Sequence, residues 1–516
     1  MSTLKKFAGQ TLIYGLSSVI ARLLSFVLTP VYVKVYQPAT FGIFTSLYSA
    51  AAILNAVLAL GMETTFFRYL QKHEGDKRAV LNNTFFFTLI TSGVFLLGTI
   101  LFANDISTFL FEEKGPERVA YIYLFAFILT LDALAVIPFA LIRANERPMR
   151  YGVIKLVNIA VMVTFTLLFI VILPYIAKNN LVGADWISGW LKFQENSVPV
   201  SANTLPEIWV GYAFLANLIA SVVTLILLIP ELSQLQIRPN KKLMKSMLWY
   251  SLPILIANLS FIINEHLDKV FLLKLLPEGI GERDLGIYGA CSKIAVFLSI
   301  AVQAFRLGAE PFFFSHAKNP NARTTYAVIM DYFIILMCVA VVGLVVNIDI
   351  LKYFIEGKNL EEQALYWSGL KIVPILSLGY IFLGIYMNLS IWYKLSDQTR
   401  FGLYISGIGA MITIFLNLIY IPEYSYVASA WITLLAYFVM MVLSYLLGQK
   451  NYPIPYHIKK NICYIGAAAL LSYFCFYVLN RDLIIGNVIL LTFIVATIFI
   501  EKKNFINQIS KNRDDS

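Results

Sequence analysis

Charged side chains inside long apolar segments are the residues of this sequence best suited to chemistry. The 516-residue chain places such charges at Arg22, Asp132, Glu265, Asp268, Lys269, Lys293, Arg306 and Glu310. A charge in the middle of a bilayer is energetically costly, so it normally faces a cavity or an opposite charge. The chemistry open to these groups is therefore the binding of a charged ligand or the exchange of a proton or a Na⁺ ion.

Arg22 and Lys293 are the candidates for binding an anion. Arg22 lies close to the middle of the apolar segment 10–34, and a guanidinium there offers paired hydrogen-bond donors to an anionic group such as a phosphate. The alternative is an arginine that pairs with an in-span carboxylate such as Asp132 for packing. Lys293 lies within the apolar segment 285–312, where the alternative is a lysine that extends its ammonium towards the membrane surface.

Two groups of charges have the spacing of residues that meet on one helix face. Glu265 and Lys269 are four residues apart, with Asp268 beside them, so they can pair and neutralise one another. Alternatively, Glu265 or Asp268 exchanges a proton or Na⁺, as partly buried carboxylates can. Lys269 and Arg306 are further candidate contacts for an anionic substrate, although Arg306 has the same pairing distance to Glu310 and a structural pair is favoured there.

The composition shows what kind of element carries these charges. The chain is 59% hydrophobic and 14% charged, against about 45–50% and about 25% in soluble proteins. This excludes a soluble enzyme, a nucleic-acid-binding protein and a disordered scaffold. The cysteines lie in apolar stretches without CxxC spacing and the four histidines have no ligand-like spacing, so neither predicts a metal site.

The apolar segments predict membrane-spanning helices. A bilayer core of about 30 Å requires roughly 20 helical residues, and by this measure the chain has 14 spans. They lie at approximately 10–34, 41–70, 81–103, 118–142, 152–174, 208–230, 246–276, 285–312, 324–348, 364–393, 401–421, 426–448, 461–479 and 483–500. These runs lack the strict alternation of transmembrane β-strands. The predicted fold class is an all-α polytopic membrane protein.

Basic residues concentrate in alternate loops between these spans. With the N-terminus inside, the cytoplasmic segments carry 23 Lys and Arg residues and the outer segments carry 7. Cytoplasmic loops of membrane proteins have this excess of basic residues. Both termini are therefore predicted to be cytoplasmic, and the net charge of +10 mostly reflects topology rather than a nucleic-acid partner.

Short motifs recur at a nearly constant offset and indicate an internal repeat. The sequence Phe41-Gly42-Ile43-Phe44 corresponds to Leu285-Gly286-Ile287-Tyr288, Gly61-Met62-Glu63 to Gly308-Ala309-Glu310, Arg150-Tyr151-Gly152 to Arg400-Phe401-Gly402, and Pro174 to Pro422, at offsets of 244, 247, 250 and 248. Each copy contains six helices, and because this number is even, both copies have the same orientation in the membrane, as in transporters with parallel repeats. The predicted domains are two six-helix lobes, 1–230 and 246–448, a cytoplasmic linker, 231–245, and helices 13 and 14 with a tail, 449–516.

Three stretches carry a resemblance that extends over essentially the whole chain. They are Ala21-Arg22-Leu23-Leu24-Ser25 through Phe41-Gly42, Asp268-Lys269-Val270-Phe271-Leu272 through Leu285-Gly286-Ile287-Tyr288 to Lys293, and Arg400-Phe401-Gly402 with Pro422, Ala428 and Ala430. With these motifs the sequence resembles the multidrug/oligosaccharidyl-lipid/polysaccharide exporter superfamily, and within it the bacterial lipid-linked oligosaccharide flippases. The loop Glu282-Arg283-Asp284 is slightly longer than the family pattern.

The resemblance implies a function and a set of partners. It implies a flippase that moves an undecaprenyl-diphosphate-linked oligosaccharide across the bacterial inner membrane by alternating access, for cell-surface polysaccharide such as the O-antigen of lipopolysaccharide. Arg22 and Lys293 would then flank the diphosphate. The implied partners are the lipid-linked substrate, membrane lipids, a coupling H⁺ or Na⁺ and the polysaccharide polymerase machinery, with no cofactor.

Two other functions remain open at this point. A cation-coupled drug exporter of the same superfamily would need an acidic cavity, and helices 13 and 14 fit a flippase better. A membrane polymerase or glycosyltransferase would need clustered acids or arginines in a large outer loop, whereas the charges of loop 175–207 are few and widely spaced. A nucleotide-binding P-loop is missing from the sequence, which argues against ATP-driven transport by this chain. The expectation is a transporter, not an enzyme.

Overall fold

The computed structural model describes most of the chain. The described residues are 26–72, 76–111, 115–179, 191–192, 207–235, 239–317, 319–396 and 398–514. They are almost entirely helical. Arg22 and most of the predicted first span, 10–34, lie outside the described residues.

The first half of the described chain contains ten α-helices. They are α1 (Thr29–Val35), α2 (Pro38–Ala59), α3 (Met62–Lys72), α4 (Lys77–Leu101), α5 (Ala103–Phe111), α6 (Pro116–Ala144), α7 (Pro148–Leu167), α8 (Leu173–Lys178), α9 (Gly211–Leu227) and α10 (Ile229–Leu232). A π-helical turn, Leu168–Ile172, joins α7 to α8. Proline lies in the first turn of α2, α6 and α7, where its missing N–H costs no helical hydrogen bond.

The second half contains ten more α-helices. They are α11 (Lys241–Leu275), α12 (Ile280–His316), α13 (Ala322–Val346), α14 (Ile348–Leu351), α15 (Leu360–Ser368), α16 (Val373–Leu389), α17 (Ile391–Leu395), α18 (Arg400–Asn451), α19 (Ile458–Tyr473) and α20 (Leu483–Asp514). Short 3-10 turns, Lys352–Ile355 and Gly369–Ile372, precede α15 and α16. A π-helical turn, Phe474–Val478, follows α19.

The helices confirm a multi-pass membrane protein. Among the described residues, 11 helical segments are long and apolar enough to cross a membrane. The shorter apolar helix α9 occupies the predicted sixth span. The 52-residue α18 covers the predicted eleventh and twelfth spans and is broken at Ser425, where φ is 50°. The total of 14 spans stays a prediction.

The chain divides into two compact units. The first contains residues 1–290, 356–366 and 400–432, and the second contains 291–355, 367–399 and 433–516. In the first unit α2 packs on α11 and α6, and α6 also packs on α4 and α9. In the second unit α13 packs on α16, α19 and α20. The boundaries between these units lie within α12 and α18 and differ from the boundaries of the two predicted lobes. The two lobes stay a prediction.

Helices α2 and α12 cross through two glycines within the first unit. A Cβ atom on Gly42 would overlap the carbonyl oxygen of Glu282, and one on Gly286 would overlap the carbonyl oxygen of Pro38. Gly42 and Gly286 are separated by 244 residues, and so are Pro38 and Glu282; this is the offset of the first repeat motif. The contact is thus reciprocal, as contacts across a twofold axis are. This crossing supports the correspondence between the two repeats and explains why both positions are glycine.

Candidate functional site: a charged cavity in the first unit

A polar cavity of about 470 Å³ lies among the helices of the first unit. Its wall comes from α2, α3, α6, α7 and α9, with Ile262 of α11. The charged and amide side chains that line it are Asn55, Glu63, Asp132, Arg143, Lys155, Asn158 and Asn217. Its volume lies within the range of about 300–1,000 Å³ that is typical of small-molecule sites.

Small side chains on α2 leave room for this cavity. Ala52, Ala56 and Ala59 line it on one side. These alanines stand at spacings of four and three residues, which places them on one face of the helix. Because these side chains are short, α2 leaves open the space that the larger side chains of α6 and α7 face.

One end of the cavity holds an ion pair between α3 and α6. The guanidinium of Arg143 donates a hydrogen bond to the carboxylate of Glu63. The same guanidinium lies 5.1 Å from the ring centroid of Phe67 and 5.8 Å from that of Tyr151. A cation between two ring faces is held by both, so Arg143 is positioned from three sides.

The second pair of charges is Asp132 of α6 and Lys155 of α7. Asp132 accepts a hydrogen bond of 2.8 Å from the hydroxyl of Ser221. The ammonium of Lys155 lies 4.3 Å from the ring centroid of Phe139 and interacts electrostatically with Asp132. Lys155 therefore faces the cavity of the first unit instead of extending to the membrane surface.

Two of the lining amides connect neighbouring helices. The Asn158 amide donates a 2.9 Å hydrogen bond to the hydroxyl of Thr224. The Asn217 amide donates a 3.2 Å hydrogen bond to the hydroxyl of Tyr48. A carboxamide has both donors and an acceptor, so these side chains hold the wall together and present polar atoms to the cavity.

The candidate ion-exchange group of α11 has other partners than its spacing predicts. The ammonium of Lys269 contacts Asp268 Oδ1 at 3.1 Å and the backbone oxygen of Glu265 at 2.7 Å. The expected side-chain pair between Glu265 and Lys269 is thus replaced, because the ammonium reaches the main chain of the preceding turn. Tyr288 donates a 2.6 Å hydrogen bond to Asp268 Oδ2, and Asp268 is 1% exposed. Both carboxylate oxygens of Asp268 are therefore engaged.

Arg306 belongs to a charge cluster of the second unit. Lys394 of α17 contacts Glu310 at 2.8 Å, and Arg306 lies 3.8 Å from the same carboxylate. Glu310 corresponds to Glu63 at the repeat offset of 247, so both repeats pair this carboxylate with a cation. The adjacent cavity has a volume of only about 10 Å³. The predicted pair between Arg306 and Glu310 is present, and Lys394 is the closer partner of Glu310.

The structure describes one of the two predicted diphosphate ligands. Lys293 is half-buried in the part of α12 that belongs to the second unit. Arg22 lies outside the described residues. The proximity of Arg22 to Lys293, and the alternative pair of Arg22 with Asp132, both stay predictions.

The second unit buries another in-span carboxylate. Asp331 of α13 is 3% exposed. It contacts His457 at 2.7 Å, Lys460 at 3.4 Å and the amide of Asn461, which donates a 3.0 Å hydrogen bond. These partners precede or begin α19, so the cluster fastens α19 to α13.

Sequence reasoning missed most of the cavity. Asp132 and Lys155 lie within the predicted spans 118–142 and 152–174, but the sequence does not give the helix face of either, and Arg143 follows directly after the predicted span 118–142. One available signal was the alanine run on α2, Ala50–Ala52 with Ala56 and Ala59. In the described part of the chain, groups of three or more His, Cys, Asp or Glu side chains placed to hold a metal ion are not found.

Comparisons with known proteins agree with this architecture. Residues 7–183 match the family model described as polysaccharide biosynthesis protein, and residues 253–419 match the MatE model. The chain is 24% identical over 194 residues to the Lsg locus putative protein 1 of Haemophilus influenzae (strain ATCC 51907 / DSM 11121 / KW20 / Rd). That match covers 37% of this chain and 47% of the relative, so it spans about half the length of the curated protein.

Solved structures share the fold at low sequence identity. The lipid II flippase MurJ in an inward closed conformation has a TM-score of 0.70 and 13% identity, with 95% of this chain and 99% of that chain covered. An inward-facing multidrug resistance MATE family transporter of the MOP superfamily has a TM-score of 0.64 and 12% identity, with 83% and 94% covered. Together with the family models, these matches confirm the resemblance identified from the sequence.

Proposed function

We propose that the chain is a flippase of the multidrug/oligosaccharidyl-lipid/polysaccharide exporter superfamily and that it flips an undecaprenyl-diphosphate-linked oligosaccharide, which the two family models and the shared fold support. The lipid tail stays in the bilayer while the sugar and diphosphate headgroup crosses through the protein by alternating access. The membrane would be the bacterial inner membrane, with both termini in the cytoplasm and delivery to the polysaccharide polymerase machinery.

The cavity of the first unit is the observation that carries this proposal. Moving polar groups into an apolar medium without hydrogen-bond partners is costly. Helices that are otherwise apolar surround a space lined by Glu63, Asp132, Arg143 and Lys155. A polar space at this depth has no use in simple anchoring, since in-span charges cost stability. It offers a hydrated surface to a polar headgroup.

The glycine crossing gives alternating access a closing contact. In the predicted topology α2 and α12 begin at the outer side, where Gly42 meets Gly286. Beside them Arg118 of α6 contacts Glu282 at 3.1 Å, and both side chains are largely buried. We propose that this crossing and ion pair close the outer side, and that they separate when the headgroup leaves.

The remaining residue roles are part of the same proposal. Arg22 and Lys293 would bind the diphosphate, with Lys269 and Arg306 as secondary contacts. Glu265 or Asp268 would exchange the coupling H⁺ or Na⁺. The dense pairing of Asp268 with Lys269 and Tyr288 favours Glu265 of the two as the exchanging group.

Multidrug transport is the second candidate function, favoured by the fold shared with MATE transporters and by Asp132 in the cavity wall. The purified chain, reconstituted into vesicles, separates the two. A fluorescent undecaprenyl-diphosphate-linked oligosaccharide should cross the vesicle membrane, and a cationic dye such as ethidium should not. Transport of the dye without movement of the lipid-linked sugar would replace the flippase by a drug exporter.

A variant of the glycine crossing gives this assay an internal control. Gly42→Leu should stop flipping, because its side chain would overlap the backbone of α12. Gly93→Leu is the matched control, since a Cβ at Gly93 meets nothing within 4 Å. Equal activity of the two variants would remove the crossing from the transport cycle.

A further inference from the structure

The charges that line the cavity of the first unit balance one another. Glu63 and Asp132 are acidic, and Arg143 and Lys155 are basic. Arg143 is paired with Glu63, and Lys155 interacts with both Asp132 and Glu63. Each described cation of the cavity thus already faces a carboxylate.

The rest of the polar wall consists of uncharged groups. Asn55, Asn158 and Asn217 contribute carboxamides, and Ser221 and Thr224 contribute hydroxyls. These groups both donate and accept hydrogen bonds, as the hydroxyl and acetamido groups of a sugar do. They come from α2, α7 and α9, so they surround the cavity on several sides.

Aromatic faces complete the wall. Phe139 and Tyr151 line the cavity and pack edge-to-face on each other, with ring centroids 5.2 Å apart. Lys155 lies over one face of Phe139 and Arg143 over one face of Tyr151, so the C–H face of a sugar ring would pack on the uncovered parts of these apolar rings. The combination of amides, hydroxyls and ring faces suits sugars better than it suits phosphate.

An additional negative charge would be disfavoured in this space. A uronic acid carboxylate would approach Asp132, whose own partners are Ser221 and Lys155. Like charges brought together in a binding site repel each other and weaken binding. The two cations cannot offset this, because each already faces a carboxylate.

We propose that this cavity binds the part of the glycan headgroup that carries no net charge, namely sugars with hydroxyl and acetamido groups, and that it discriminates against uronic acids. The inference rests on the proposed flippase function and adds the chemical class of glycan. The diphosphate would be bound elsewhere, by the cations proposed for it. Asp132 is the residue that sets the discrimination, and Asn158 is a direct contact of the sugar.

Export of two defined glycans from cells tests this inference. A bacterial host that lacks its own flippase is given the chain together with enzymes for one of two undecaprenyl-diphosphate-linked repeats. One repeat consists of an N-acetylhexosamine and a hexose, and the other has a glucuronic acid in place of the hexose. We expect the neutral repeat to reach the cell surface about tenfold or more in excess of the acidic one at equal protein level.

The outcomes separate the inference from the function beneath it. Equal export of both repeats, or preference for the acidic one, would overturn the inference while leaving the flippase in place. Export of neither repeat, with normal chain in the membrane and normal lipid-linked precursor inside, would overturn the proposed function and the inference with it.

Two variants locate the discrimination in the cavity. Asp132→Asn keeps the side-chain size and removes the negative charge, so it should increase export of the acidic repeat relative to the neutral one. Asn158→Leu should reduce export of the neutral repeat, whereas Asn388→Leu, beside the small cavity of the second unit, should not. An unchanged export ratio in Asp132→Asn, at normal membrane level, would contradict the assignment.

Discussion

The cavity of the first unit is large, whereas the cavity beside Glu310 in the second unit is nearly closed. The first-unit cavity has about 470 Å³, and the second-unit cavity has about 10 Å³, which is the space of about one water molecule. At the repeat offset of 247, Arg306 stands in the second cavity where Ala59 stands in the first. The neighbouring Phe305 ring packs at 4.4 Å from that of Phe333. The larger side chains in the second cavity therefore account for its smaller volume.

The half-buried Asp132 of the first unit and the buried Asp331 of the second differ in the same way. Asp132 lines the large cavity and accepts a hydrogen bond from Ser221. Asp331 is held by His457, Lys460 and Asn461 and fastens α19 to α13. An acidic residue within a span can thus line a cavity or hold two helices together, depending on the side chains that surround it.

Changing side-chain size in the two cavities should have the largest effect on export of the lipid-linked glycan. Ala59→Phe places a ring in the space lined by α2, and we expect export of the lipid-linked glycan to fall to background. Phe305→Ala opens the second cavity and should leave most of the export intact. Surface glycan per membrane-inserted chain measures both. Full export by Ala59→Phe would show that the large cavity is not the route of the headgroup.

Removing the second carboxylate should reduce stability rather than transport. Asp331→Ala removes the buried acceptor of Asn461 and one of the two carboxylates that Lys460 contacts, the other being Glu501 at 2.7 Å. The loss of such a buried hydrogen-bond partner should lower the free energy of unfolding by about 1–3 kcal/mol. Thermal unfolding in detergent should show a lower midpoint, with export retained at permissive temperature. Asp132→Ala is the matched control, for which we expect a smaller change in the midpoint, because that side chain lines a cavity and, among the described residues, accepts a hydrogen bond from Ser221 only. An unaltered midpoint for Asp331→Ala would mean that the cluster does not fasten α19.

The glycine crossing should respond to a single methyl group. Gly42→Ala forces α2 away from the backbone of Glu282. Overpacking of this kind lowers the free energy of unfolding by about 1–3 kcal/mol. Gly286→Ala should have a similar effect, because the contact is reciprocal. Gly93→Ala has open space around its Cβ and serves as the control. Different responses of Gly42 and Gly286 would weaken the correspondence between the repeats.

The smallest expected effect concerns Glu207, outside the spans, which accepts a 3.1 Å hydrogen bond from the backbone N–H of Gln37 at the start of α2. Burial raises the pKa of this carboxyl from 4.5 to about 7, against hydrogen bonds from Thr40 and Gln37 that lower it. The folded protein thus keeps a proton that the unfolded chain releases between pH 4.5 and 7. The free energy of unfolding should therefore fall as the pH rises through this window.

Glu207→Gln provides the control for this pH dependence. The amide cannot titrate, so the unfolding midpoint of the variant should change less between pH 4.5 and 7 than that of the natural chain. Parallel pH profiles of the two proteins would show that Glu207 is not the group responsible.

The sequence predicted the membrane helices and the repeat because both leave local signals. Hydropathy depends only on neighbouring residues, and Gly42 and Gly286 stand in motifs with a constant offset. The sequence could not predict the partner of Lys269, because its ammonium can contact either the neighbouring Asp268 or Glu265 four residues earlier. Asp132 and Asp331 both read as isolated in-span acids. Only the three-dimensional packing of α6, α7 and α9 places the first in a cavity.

Covalent capture of the headgroup tests the central claim most directly. A lipid-linked oligosaccharide that carries a diazirine on its sugar is flipped by the reconstituted chain, irradiated, and its attachment points are identified by mass spectrometry. The cavity of the first unit predicts label on α2, α6 and α7 around Asn55, Asp132 and Asn158. Label confined to the second unit, around Arg306 and Asn388, while flipping proceeds, would contradict the account.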